Sequence, residues 1–288
     1  LDDSRIFATG ISDGGAMAER LACERSTRIA AIASVAAGNQ VADREGFAVV
    51  FPNGVPGDPF EDARSWNAGG GSDGFQCISG DACKNGSDDV KYLDAVHEEL
   101  ERALVLDDSR IFATGISDGG AMAERLACER STRIAAIAPV AAGNQVAEVQ
   151  GCSTALPVPV LEIHGSTDPC WNFAQGKGTC LQDDGGVKVG VNETIAGWVE
   201  RNGCVGDVSN ETIKDVDKSD GTTSSKEIHG GCVNDADVVL LKVQGGGHTW
   251  PGGFQYDGQG TIGAVARDFS ASSEVWSFFK AHPRPPLE

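Results

Sequence analysis

Residues 110–123 read Arg-Ile-Phe-Ala-Thr-Gly-Ile-Ser-Asp-Gly-Gly-Ala-Met-Ala. Arg110–Thr114 reads as a strand and Gly119–Glu129 as a helix, so Gly115-Ile-Ser-Asp-Gly119 falls in the turn between them. Gly-x-Ser-x-Gly is a weak pattern alone and a strong one in a strand-to-helix turn. The two glycines let the chain reverse sharply and push Ser117 out over the sheet edge. The next backbone N–H groups open a helix, whose positive end favours negative charge. Ser117 is therefore the candidate nucleophile, and the Asp118 N–H a candidate oxyanion donor.

A nucleophilic serine needs a base and an acid that orients the base. Where the serine sits in a Gly-x-Ser-x-Gly strand-to-helix turn, they come after it in the chain, at later strand ends. Val158–His164 reads as a strand, and Gly165-Ser-Thr-Asp168-Pro comes directly after it. Val238–Val243 reads as another, with Gly245-Gly-Gly-His248-Thr-Trp-Pro just beyond its end. Asp168 and His248 thus complete a candidate Ser-Asp-His set in the expected order. Of the other histidines, His97 falls on a helix, His164 at a strand end as a satisfied core imidazole, His229 in a polar loop and His282 in the tail.

Working outward, short apolar strands alternate with amphipathic helices, the pattern of an α/β fold with a parallel sheet and helices on both faces. Phe47–Phe51 reads as a buried strand. The Gly-, Ser- and Asp-rich stretch from Gly54 to Ser87 is too long for a simple connection and reads as an ordered excursion beside a cleft. Ser87 is placed to cap a helix carrying Val90, Leu93, Val96 or His97, Leu100 and Leu104 at 3–4 spacing, with Asp88 and Asp89 in its first turn. Val187–Asn202 and Ser270–Ala281 read as helices, and Asp207–Gly231 as a polar hairpin or loop.

Residues 1–42 recur as residues 106–147 with one difference, Ser34 against Pro139. The identity extends to positions such as Glu19 and Glu124, where surface changes usually shift stability by less than about 0.5 kcal/mol. Selection for two sites would not hold such positions, which indicates a recent duplication, a recombination or an artefact. Copy 1 is read as a βαβ unit, with strands over Arg5–Thr9 and Ala30–Ala36 around a helix over Gly14–Cys23. The chain then divides into this duplicated segment 1–42, a catalytic core 43–286 forming one domain with it, and a terminal Leu287-Glu288 that looks like a vector scar. One Asp168 and one His248 cannot serve two serines, so Ser12 has no triad of its own.

A length of 288 residues and 40% hydrophobic content fit a globular domain with a real core. A net charge of −19 argues against nucleic acid or anionic membrane as partner. No apolar run approaches the roughly 20 residues that cross a bilayer. Nine cysteines without a Cys-x-x-Cys pair point to disulfides and an oxidising, secreted setting, extracellular or periplasmic. Expected bridges are Cys77–Cys83, Cys170–Cys180, Cys204–Cys232 and Cys128–Cys152, with Cys23 left over.

The segments Gly-Ile-Ser-Asp-Gly-Gly-Ala-Met-Ala, Ala-Ala-Ile-Ala-Pro-Val-Ala, Ile-His-Gly-Ser-Thr-Asp-Pro and Gly-Gly-Gly-His-Thr-Trp-Pro-Gly-Gly occur in chain order. With Arg64–Gly70 and Asp88-Asp89-Val90, they resemble the secreted esterases that include polyhydroxybutyrate depolymerases and feruloyl esterases, of carbohydrate esterase family 1 type. The resemblance covers residues 43 to about 282. It implies an α/β-hydrolase fold, with Ser117 as nucleophile, Asp168 as acid, His248 as base, and Trp66 and Trp250 near the cleft.

Two positions depart from that pattern. The family opens with strands leading to a His-Gly-containing loop that donates to the oxyanion, and residues 1–42 stand in its place. Losing one such donor costs about 10²–10³ in rate. Ile6–Thr9 is expected to supply the missing strand, and the backbone near Ile11 and Ser12 to replace the loop in part. Asp118 would also oppose a neighbouring oxyanion unless its side chain turned away toward solvent. The expectation is a carboxylic ester hydrolase acting on small-molecule or polymer-linked feruloyl, aryl or short-chain acyl esters, with no cofactor and no metal. The alternative is a rearranged, weak or inactive hydrolase that forms a homodimer by swapping identical segments.

Overall fold

The computed structural model describes residues 6–11, 44–56, 64–72, 75, 77, 81–154, 156–178 and 186–286. In chain order, β1 (Ile6–Ile11) and β2 (Ala48–Val50) precede a small antiparallel pair, β3 (Val55–Pro56) and β4 (Arg64–Ser65). Helices α1 (Asp81–Lys84) and α2 (Asp89–Ala103) lead to β5 (Ile111–Ile116), α3 (Asp118–Glu129), β6 (Ala136–Val140) and α4 (Gln145–Val149). Then come β7 (Val160–Gly165), α5 (Val191–Arg201), β8 (Val208–Thr212), β9 (Thr223–His229) and β10 (Val238–Gln244). Helices α6 (Gln259–Ile262) and α7 (Ala271–Ala281) close the chain.

The main sheet runs β2-β1-β5-β6-β7-β10-β9-β8. The strands from β2 to β10 are parallel, and β9 and β8 add an antiparallel hairpin. Every residue of β5, β6 and β7 is buried, as both faces of a parallel sheet under helices require. Alternation along each strand separates two cores. Ile111, Ala113, Val238 and Leu240 face α3 and α5, packing with Met122, Leu126, Ile195 and Trp198. Phe112, Val239 and Leu241 face α7, packing with Val275, Trp276 and Phe279. Phe112 stacks on Phe279 with ring centroids 4.6 Å apart.

Several expected elements shift for local reasons. Phe47–Phe51 shortens to β2 and is half-buried, because among the described residues it ends the sheet and has a strand on one side. Asp88, not Ser87, caps α2: its carboxylate accepts the Lys91 N–H at 3.2 Å. The helix expected from Val187 begins at Val191, since Val187 and Lys188 bridge to Phe75 and Gly176. The polar stretch 207–231 forms the β8–β9 hairpin. Cys77–Cys83, Cys128–Cys152 and Cys204–Cys232 are bonded, and Cys170 is also in a disulfide. Cys23, Cys180, the expected helix Gly14–Cys23, the strand Ala30–Ala36 and Leu287-Glu288 lie outside the described residues.

Candidate active site

The turn after β5 carries the first group. Ser117 sits at φ 58° and ψ −123°, a left-handed conformation that costs a non-glycine residue on the order of 1–3 kcal/mol. Tertiary bonds hold it there: the Ser117 N–H donates to Val140 O at 2.9 Å, and its carbonyl accepts the Ala121 N–H at 2.9 Å to start α3. Close packing does the rest. A Cβ on Gly120 would lie 2.6 Å from the Ala142 Cβ, so α3 can press on β6 only without a side chain there. Asp118 opens α3, which puts its N–H in the positive first turn.

The Asp118 carboxylate turns away, but not to solvent. It is fully buried and accepts the backbone N–H of Trp66 at 2.5 Å, tying the segment after β4 to the elbow. Glu124 is likewise buried and accepts the indole N–H of Trp198 at 2.6 Å. Burial first, and then neighbouring Glu162, pushes the Glu124 carboxyl well above the usual range.

The ends of β7 and β10 bring the other two groups together. His248 Nδ1 lies 2.7 Å from Asp168 Oδ2, and both residues are 4% exposed. The remaining oxygen, Oδ1, accepts the N–H groups of Cys170 and Trp171 at 2.7 and 2.8 Å. Burial opposes ionisation of Asp168, but His248, His164 and the Trp171 amide outweigh it and hold the carboxyl below its ordinary value. A carboxylate only accepts, so His248 Nδ1 carries the proton and Nε2 is left as the basic nitrogen. The His248 loop is clamped: its N–H donates to Ile262 O at 2.6 Å, and the Tyr256 hydroxyl donates to its carbonyl at 2.7 Å. It also runs hard against β7, where a Cβ on Gly165 would lie 2.3 Å from Gly246 O.

The other expected site residues are more scattered. Ile11 ends β1 directly opposite Ile116, one residue before Ser117, while Ser12 lies outside the described residues. Trp66 is 3% exposed and stacks toward Tyr92. Trp250 is 9% exposed and its indole N–H donates to Ser272 Oγ at 3.1 Å. A cavity between α5 and β9, lined by Ile195, Val199, Glu227 and His229, involves none of these residues.

Sequence reasoning missed Glu162 as a site neighbour. It is fully buried in β7, 2.9 Å from His164 Nδ1, and His164 Nε2 reaches Trp171 O at 2.8 Å and Asp168 Oδ2 at 3.6 Å. The signal was present: two titratable residues at i and i+2 share one face of an otherwise apolar strand that ends beside Asp168.

No family model matches the chain. It is 31% identical over 250 residues to the protein named "Putative esterase NocK" of Nocardia uniformis subsp. tsuyamanensis, covering 83% of this chain and 67% of NocK. Against feruloyl esterase B of Piromyces equi it is 26% identical over 206 residues, 71% of this chain and 34% of that protein. The solved acetyl xylan esterase from Aspergillus awamori superposes with a TM-score of 0.51 at 15% identity, over 86% of this chain and 85% of that one. The elbow serine, the order of the strand-end residues and the likeness to NocK agree: the chain belongs to the esterase family represented by NocK, and it is a carboxylic ester hydrolase with an α/β-hydrolase fold.

Proposed function

We propose that Ser117, His248 and Asp168 form the catalytic triad, acting on esters of aromatic acids such as ferulate or of short acyl groups, free or polymer-linked. The His248–Asp168 contact carries this reading: a buried, doubly anchored carboxylate fixes the imidazole tautomer and stabilises the cation formed when Nε2 takes a proton. Ser117 Oγ attacks the ester carbonyl while its proton passes to His248 Nε2. The tetrahedral oxyanion is met by the Asp118 N–H at the start of α3 and by the backbone around Ile11 and Ser12. Collapse expels the alcohol, which takes the proton back. Water then repeats the sequence on the acyl-enzyme and releases the acid and Ser117. Trp66, tied to the elbow through Asp118, and Trp250, two residues beyond the base, are the aromatic groups assigned to the substrate side. In this reading copy 1 replaces the family's opening strands, and the disulfides support a secreted protein.

Hydrolysis of a short-chain aryl ester and of methyl ferulate by the parent, Ser12→Ala and Ser117→Ala proteins tests the assignment. Loss of turnover only in Ser117→Ala is expected. Equal activity in all three, or loss only in Ser12→Ala, would sink it. A second reading, a swapped and poorly active oligomer, is favoured by one observation: β1 and β5 have the same sequence and lie side by side, so equivalent strands of two chains could exchange. A monomer by light scattering removes it.

A further inference from the structure

Asp168 is gripped from two sides, and the triad uses only one of them. On the other side lies a closed set of hydrogen bonds whose proton count is dictated by its geometry. His164 Nε2 is 2.8 Å from Trp171 O, and a carbonyl can only accept, so Nε2 bears a hydrogen. His164 Nδ1 is 2.9 Å from Glu162 Oε1, a bond that also needs a hydrogen between its ends. Either a neutral carboxylic acid donates to a neutral imidazole, or an imidazolium donates to a carboxylate. Both arrangements leave the pair with no net charge and one shared proton. Without that proton, two lone pairs would face each other at 2.9 Å where neither side chain is exposed, and a net negative charge would stand beside Asp168.

Resting on the triad reading, we propose that Glu162 and His164 are a positioning pair: their shared proton holds Trp171 and Asp168 in the geometry that orients His248. The mechanical link is short. Trp171 donates its N–H to Asp168 Oδ1 and offers its carbonyl to His164, so one residue joins pair to acid. Its indole N–H is fixed on Val189 O at 2.8 Å.

The charged groups around the pair are few. Asp168 and His248 stand on the loop side, and Glu124 faces Glu162 from α3, with Arg201 of α5 acting on Glu124. Lys242 of β10, opposite His164 in the register, has its Nζ over the Phe173 ring, and Lys188 Nζ donates to Cys170 O. No lysine or arginine therefore pairs with Glu162 among the described residues. Burial, only partly offset by His164, pushes the Glu162 carboxyl up to about 7. The imidazole of His164 is raised too, since Glu162 and Asp168 outweigh its burial. Both shifts favour the protonated forms, so the pair holds its proton to a higher pH than an ordinary carboxyl or imidazole does and loses it as pH rises further.

The test compares pH profiles of kcat and KM for the parent, Glu162→Gln and Glu162→Ala, with Ser117→Ala as the inactive baseline. Glutamine can donate an amide N–H to His164 Nδ1 and cannot titrate. Glu162→Gln is expected to keep kcat at pH 7 within about threefold, and to lose the alkaline fall that belongs to the pair. Glu162→Ala is expected to lower kcat about tenfold to a hundredfold with little change in KM, as a small misplacement of a catalytic group does. Melting curves in the Ser117→Ala background give a readout without activity. A carboxyl raised from 4.5 to about 7 makes the folded state bind more protons than the unfolded one, so stability falls as pH rises between those values. Glu162→Gln should flatten that fall. Superimposable pH profiles and melting curves for parent and Glu162→Gln would overturn the proposal even if Ser117→Ala is dead. Activity persisting in Ser117→Ala would fault the triad instead. Should Glu162→Ala not fold, the Glu162→Gln comparison decides alone.

Discussion

β1 and β5 are the same hexapeptide, Ile-Phe-Ala-Thr-Gly-Ile, laid parallel and in register from Ile6 opposite Ile111 to Ile11 opposite Ile116. Local sequence makes a strand in both places. The turn and helix after β5 gain their meaning from partners that occur once in the chain. Asp118 takes the Trp66 N–H, and Glu124 takes the Trp198 indole. Asp168 and His248, the proposed acid and base, follow the ends of β7 and β10, far along the sequence. Asp168 and His248 occur once, so by count the second serine is left without an acid and base of its own.

The sharpest way to break this contrast is to remove the proposed acid, Asp168. Asp168→Asn should lower kcat about 10⁴-fold, because a neutral amide favours the wrong imidazole tautomer. A residual rate abolished only by a further Ser12→Ala change would mean the first copy has its own relay.

A smaller effect tests the strand itself. Phe112→Ala should cost about 3–5 kcal/mol in urea unfolding, since the ring is 1% exposed and stacked on Phe279. An equal loss from Phe7→Ala would make the two strands equivalent in the fold, not only in sequence. Smallest is the anchor. Asp118→Ala leaves the Trp66 amide without its acceptor and should cost about 1–3 kcal/mol, with a change in tryptophan emission. Asp13→Ala should leave that emission unmoved, because one carboxylate already occupies the amide.

Much of the fold is legible in the sequence because strand, turn and helix signals around Ser117 agree with one another. The strands bearing Asp168 and His248 are legible for the same reason. Their meeting at 2.7 Å depends on how β7 and β10 lie side by side, which order along the chain suggests but does not measure. The cap of α2 goes to Asp88 because its carboxylate reaches the helix amide, a choice between neighbours that composition leaves open. A satisfied core imidazole is the role expected of His164. It has that role, but its partners include the acid itself, and partner identity is a tertiary fact. Trp66 and Trp250 are well buried, and the amide of the one and the indole N–H of the other are taken by Asp118 and Ser272, contacts set by the tertiary fold.

The hairpin that ends the sheet has a consequence for how the molecule behaves in company. All five residues of β8, Val-Ser-Asn-Glu-Thr, are exposed, and among the described residues β8 is the last strand on its side. A long apolar strand there would invite pairing with another molecule's edge. One short, largely hydrophilic strand, crossed by the charge of Glu211, makes that pairing costly. Solvation of that strand disfavours extension of the sheet on this side.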